Sequence, residues 1–110
     1  MKMILLLGIN DIVEEYAEKF LKINLKKDIM RCPDITTHYT EFGKYVDTAR
    51  EYKPAVITTQ SLEMIDVFLE SDLDFDVVTV RKCDDEIRAR SLPKEEVIKD
   101  RETFCFDPRL

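Results

Sequence analysis

Glycine is scarce in this 110-residue sequence, which contains only Gly8 and Gly43. The phosphate-binding loops of nucleotide-binding proteins need several glycines, because their backbone N–H groups must approach phosphate oxygens closely. Two isolated glycines supply neither a GxxxxGK(S/T) motif nor a GxGxxG motif, and no nucleophile elbow is present. The sequence therefore excludes the glycine-rich phosphate loops as a source of function.

Long apolar runs and excess positive charge are also lacking. No apolar stretch approaches the roughly 18 residues of a membrane-spanning helix, and residues 1–7 are too short for a signal peptide. The chain carries 17 Lys and Arg against 23 Asp and Glu, a net charge of -6, which argues against binding to nucleic acid. We therefore expect a soluble, cytoplasmic protein with no membrane or nucleic-acid partner.

Cysteine is present in an odd number and at wide spacing, as Cys32, Cys83 and Cys105. Such spacing fits neither a secreted disulfide framework nor a CxxC zinc site, so we expect buried free thiols. The 36% of charged residues, rich in Glu and Lys, is typical of thermophilic proteins. Intracellular proteins of hyperthermophiles can form disulfides, so a disulfide stays open as the alternative to free thiols. With 45% hydrophobic residues and no linker or repeat, the chain is predicted to form one domain over residues 1–110.

Alternating strand and helix patterns predict an α/β fold. Strands are expected at Met3–Leu7, Asp28–Cys32, Ala55–Thr59, Phe75–Arg81 and Ile87–Leu92. Helices are expected from an Asn10 or Asp11 cap, from Thr40 to Lys53, from Leu62 to Glu70 after a Ser61 cap, and from Pro93 to Asp100. The last two strands read as an antiparallel hairpin at a sheet edge, and residues 101–110 as an extended tail. The predicted fold is a small three-layer α/β structure with a mainly parallel sheet.

The segment from Ala55 to Asp66, AVITTQSLEMID, resembles the strand, loop and helix near the end of ABC-type ATPases of the AAA/OLD/SMC-like group. In that family the strand ends in TTHS and the helix reads approximately LExID. Upstream, His38-Tyr39 resembles the HY pair that follows Walker B, and downstream Asp107-Pro108-Arg109 keeps the family's order. The resemblance runs from about His38 to the end and implies part of a P-loop NTPase fold.

Several departures from the family pattern concern its chemistry. On this alignment Arg31 and Cys32 occupy the positions of the Walker B Asp and the catalytic Glu, and Gln60 replaces the switch His. Arg31 cannot hold Mg²⁺, and Cys32 cannot polarise water as a carboxylate does. Asp34, which matches a further acidic position, replaces neither. We therefore expect no ATP hydrolysis, no catalytic residue, no bound metal and no cofactor.

The resemblance then implies a non-catalytic interaction or regulatory module, a stand-alone remnant of an ATPase C-terminal lobe. It would act through a protein partner, such as a complete ATPase, or through self-association. The residues expected to face a ligand or partner are Asp34, His38, Thr59, Gln60 and Ser61.

Two alternatives stay open. The first is a nucleotide-sensing domain that binds without hydrolysis at Thr59, Gln60 and Ser61, where open α/β sheets place ligands. The second is a small metal-dependent hydrolase using Asp34 with acidic residues from two later segments. Those residues are Asp72, Asp74, Asp76 and Asp84.

Overall fold

The computed structural model describes residues 2–33 and 39–110, so the predicted site residues Asp34 and His38 lie outside the described residues. The strands are β1 (Met3–Leu7), β2 (Ile29–Arg31), β3 (Val56–Thr58), β4 (Phe75–Cys83) and β5 (Glu86–Pro93). The helices are α1 (Asn10–Lys19), α2 (Tyr39–Tyr52), α3 (Leu62–Glu70) and α4 (Lys94–Phe104). The predicted alternation of strands and helices is confirmed.

The strands form one five-stranded sheet in the order β2-β3-β1-β4-β5. The first four strands run parallel, and β5 pairs antiparallel with β4 through a turn at Asp84 and Asp85. Both turn residues have positive φ, 49° and 65°, as a type I′ hairpin turn requires. A mainly parallel sheet with an antiparallel hairpin at one edge is therefore confirmed.

Helices cover both faces of the sheet. On one face α1 packs Val13 and Ala17 against Leu6 of β1. On the opposite face α2, α3 and α4 cover Leu5 and Leu7 and build the larger cluster. A parallel strand buried on both faces reads as an unbroken apolar run, which is the pattern of β1.

The termini of two helices differ from prediction. Helix α1 begins at Asn10 with Ile9 as its N-cap and has no side-chain cap, because Asn10 and Asp11 already lie within its first turn. Helix α4 continues to Phe104 and ends at Cys105, whose φ is 52°, so the predicted extended tail begins later. Arg101 forms an ion pair with Asp66 of α3, which holds the extra turn in place.

The predicted cap of α3 is confirmed, since Ser61 Oγ accepts a hydrogen bond from Met64 N at 3.3 Å. No helix among the described residues is both long and apolar enough to cross a membrane.

Lys94 is the one charged residue buried in the described part of the chain, at 8% exposure. Its Nζ donates to the Ser71 carbonyl at 2.7 Å and to the Leu73 carbonyl, and lies 4.9 Å from the centre of the Phe75 ring. Burial lowers the pKa of Lys94, which means that the charged amine is costly to bury. The two carbonyls and the ring offset that cost and fasten α4 to the loop after α3.

We predict that Lys94→Met lowers the free energy of unfolding by about 2–3 kcal/mol, because two carbonyls lose their charged donor. Urea denaturation at neutral pH measures the change. Lys99→Met is the matched control, since Lys99 is exposed on the same helix. Equal stability of the two variants would contradict the role assigned to Lys94.

Candidate functional site

The connections from β1 and β3 leave the sheet on opposite faces. Helix α1 follows β1 and packs on the face of Leu6, whereas α3 follows β3 and packs on the face of Leu5 and Leu7. Because β1 and β3 are neighbours, their carboxyl ends border a gap that neither connection covers. In open α/β sheets ligands bind at such a switch point.

Gly8 brings the turn after β1 close to β4. Its φ is +153°, and a Cβ built there would lie 2.7 Å from the Val80 carbonyl oxygen and 2.9 Å from a Val80 methyl. No larger residue fits without moving β4, because one of these neighbours is backbone. The close approach at Gly8 thus joins the ends of β1 and β4 in one edge of the gap.

A cleft of about 390 Å³ occupies this gap. We call it the switch cleft, and it is lined by Gly8, Ile9, Ile12, Thr59, Gln60, Val80, Arg81, Lys82 and Arg109. Three of these residues are cationic and none is acidic. The chain as a whole has a net charge of -6, so the positive charge of this lining is opposite in sign to that of the protein.

The three predicted residues after β3 divide into two roles. Thr59 and Gln60 line the switch cleft. Ser61 is buried and caps α3, and its N–H donates to Thr59 Oγ1 at 3.2 Å. Gln60 is exposed, and its amide donates to Asn10 Oδ1 at 3.1 Å, linking β3 to the start of α1. Ser61 is therefore a structural residue, and Gln60 is the polar group in reach of a ligand.

The segment after α4 closes one side of the switch cleft. Thr79 Oγ1 donates to the Pro108 carbonyl at 2.6 Å, and Arg109 donates to the Gln60 carbonyl at 3.1 Å. Asp107 accepts from Arg109 at 2.6 Å, and this hydrogen bond lowers the pKa of Asp107. The guanidinium of Arg109 is thus held at the cleft by contacts on both sides.

Arg31 and Cys32 lie beside a second cleft of about 280 Å³ that also includes Thr59 and Gln60. The Arg31 guanidinium donates to Glu14 at 2.7 Å. Cys32 is buried, and burial raises the pKa of its thiol to about 12. A paired arginine and a protonated thiol can neither hold a divalent cation nor activate water.

The acidic residues considered for a metal site lie away from the switch cleft. Asp72 accepts from Arg50 at 2.6 Å, and Asp74 and Asp76 pair with Lys2 before and at the start of β4. Asp84 follows the other end of the same strand, roughly 30 Å away at the rise of an extended chain. Residues 2–33 and 39–110 bring no three His, Cys, Asp or Glu side chains together for a metal ion.

The three cysteines are free, but only Cys32 is buried. Cys83 is half-buried and Cys105 is exposed, so the expectation of buried thiols is wrong for two of the three. Cys83 ends β4 at the hairpin turn and Cys105 follows α4, so both lie at the ends of elements and away from the core.

No protein-family model, curated protein or solved structure matches this chain. The chemistry of the site therefore carries the evidence for function. Sequence reasoning identified Thr59 and Gln60 but missed Gly8, Arg81, Lys82 and Arg109 as lining residues. A basic pair at the carboxyl end of a strand, in an acidic chain, was the available signal for Arg81 and Lys82.

We predict that iodoacetamide modifies Cys105 first, Cys83 more slowly and Cys32 only after unfolding. The reason is exposure, together with the raised pKa that keeps Cys32 a thiol at pH 8. Peptide mass spectrometry of a native time course measures the order, and the same protein in denaturant is the control. Rapid native modification of Cys32 would contradict its burial.

Proposed function

We propose that this chain is a non-catalytic binding module whose ligand is a phosphorylated small molecule of the nucleotide class, bound in the switch cleft. The observation that carries the proposal is the lining of the cleft, with Arg81, Lys82 and Arg109 and no carboxylate among the described residues. Such a cleft attracts anions, because fields from like charges add in a concave, low-dielectric surface. Glu15, 3.8 Å from Lys82, and Asp107, 2.6 Å from Arg109, lie outside the lining and offset part of that field.

The other groups of the cleft suit a phosphorylated ligand. Gln60 offers an exposed amide, and Ile9 and Ile12 offer apolar surface beside it. The volume of about 390 Å³ falls within the roughly 300–1,000 Å³ common for small-molecule sites. The ligand would meet cationic donors on the β4 side and apolar side chains on the α1 side.

The absence of hydrolysis is part of the proposal. Hydrolysis of a phosphoanhydride needs a carboxylate or comparable group to position water, and usually Mg²⁺ to neutralise charge. The described lining of the switch cleft contains no such carboxylate, and Cys32 nearby is protonated. Binding without turnover is what a sensing or regulatory module needs.

We predict that ATP, ADP or cyclic AMP binds the protein in calorimetric titration and that no phosphate is released. Lys82→Gln should weaken binding about tenfold, because one charge-assisted contact is lost. Affinity should also fall as salt is raised.

Lys99→Gln is the matched control, since it removes one positive charge from exposed α4, outside the switch cleft. Equal weakening by both substitutions would show a general charge effect and not a site. Absence of binding by all three nucleotides would refute the proposal, and release of phosphate would refute its non-catalytic part.

A partner-binding module is the second candidate, and the edge strand β5 favours it. β5 is eight residues long and ends the sheet, so its outer side can accept a strand from another chain. Arg88 and Arg90 lie on β5, and antiparallel pairing of two copies near its middle would bring arginines together. The partner proposed for this edge is therefore a different chain with acidic side chains. A complete ATPase of the resembled group is one candidate for that partner.

From β3 to α4 the chain has a strand, a helix, two strands and a helix, and kinship with that group is proposed on this order together with the residues that resemble it. The kinship stays a proposal beside the two functions.

For the edge-strand candidate we predict a monomer in light scattering, because β5 disfavours self-pairing. We also predict that Ala89→Pro abolishes capture of an acidic partner strand. Ala89 pairs opposite Val80 at a position where, counting from the two-residue turn, its N–H points away from β4. Ser91→Ala keeps that N–H and is the control, and a stable homodimer lost in Ala89→Pro would contradict the assignment of the partner.

A further inference from the structure

A second cationic pocket lies on the β4–β5 hairpin, beside the switch cleft. This hairpin pocket has a volume of about 340 Å³, and Arg81, Arg88, Arg90, Cys83 and Leu110 are among its lining residues. Arg81 lines both the hairpin pocket and the switch cleft. Arg81 is therefore the residue at which the two pockets adjoin.

Arg81 and Arg88 are directly opposite each other in the antiparallel register. Directly opposed like charges on one face of a strand pair destabilise the pair. Within the described residues Arg81 has no ion pair, and Arg88 has only Glu86 at 4.0 Å, with both side chains more than two-thirds exposed. Such an exposed pair contributes little, so Glu86 offsets little of the repulsion between the two arginines, which is itself screened by solvent at Arg88.

Arg90, the next arginine on β5, adds further hydrogen-bond donors to the hairpin pocket. Arg90 Nη2 donates to the Leu110 carbonyl at 2.6 Å, and its guanidinium lies 5.1 Å from the centre of the Phe106 ring. Arg90 Nε is buried and has no hydrogen-bond partner among the described residues. Buried donors are normally satisfied, so Arg90 Nε is a donor available to an acceptor beside Arg81 and the weakly paired Arg88.

We propose that Arg81 and Arg88 form a second anion subsite for the ligand of the switch cleft, which makes that ligand a nucleoside di- or triphosphate and not a monophosphate. The inference rests on the proposed function. An anion between the two arginines removes their repulsion, and Arg guanidinium groups bind phosphate oxygens in a bidentate manner. A phosphate chain reaching past Arg81 passes from the switch cleft into the hairpin pocket.

The first test compares ATP with AMP by calorimetry in the natural sequence, in Arg88→Gln and in Lys99→Gln. Arg88 is exposed, so the substitution leaves the core intact. We expect ATP to bind about tenfold more tightly than AMP. Arg88→Gln should remove that preference without changing AMP affinity, and Lys99→Gln should leave it in place. An unchanged preference in Arg88→Gln, or a parallel loss of AMP binding, overturns the inference and leaves the switch cleft unaffected.

A second test does not require nucleotide binding. Cys83 lines the hairpin pocket and Cys105 does not, so inorganic tripolyphosphate should slow alkylation of Cys83 and leave Cys105 unchanged. Arg88→Gln should abolish this protection.

If no nucleotide binds at all, the proposed function fails. The alkylation of Cys83 in the presence of tripolyphosphate then tests the anion subsite by itself. Protection of Cys83 that depends on Arg88 then supports an anion subsite at the arginine pair. No protection, or protection that persists in Arg88→Gln, overturns it.

Discussion

Leu5 and Leu7 of β1 point to one face of the sheet and Leu6 to the other, and all three are buried. A strand buried on both faces must be covered by helices on both faces. Helix α1 supplies one layer and the later helices supply the other. The chain therefore has to reverse the direction of its connections beside β1, and that reversal creates the gap in which the switch cleft lies. The site is a consequence of how the core is covered.

The charge of the site has a separate origin, the length of β4. Pairing with β1 ends where Leu7 meets Thr79, but β4 continues to Cys83. The overhanging residues include Arg81 and Lys82, which stand above the end of β1 next to Gly8. The same overhang pairs with β5 and places Arg88 across from Arg81. One long strand thus supplies cations both to the switch cleft and to the hairpin pocket.

Local patterns predicted most of the fold, because the buried positions of a strand or helix can be recognised from the spacing of neighbouring apolar residues. The apolar runs of β1 and β3, the Ser61 cap and the hairpin turn each depend on neighbouring residues. The last turn of α4 and the position of Arg109 were not predictable in this way. Arg101 reaches Asp66 across 35 residues, and Arg109 reaches Gln60 across 49. Thr59 and Gln60 could be predicted because ligands of open α/β sheets bind at the carboxyl ends of the strands. Placing Arg81 and Lys82 in the cleft required knowing the register in which β4 pairs with β1.

The register of β1 also bears on the order of folding. Ile4 pairs with Val56 and Met3 with Phe75, so the central strand waits for partners from the second half of the chain. The β4–β5 hairpin closes over two turn residues and can form early, whereas non-local parallel pairing is slow. The walls of the switch cleft come from both sides of that late step. A ligand held there would bind only the fully folded state. It would therefore stabilise that state and no folding intermediate.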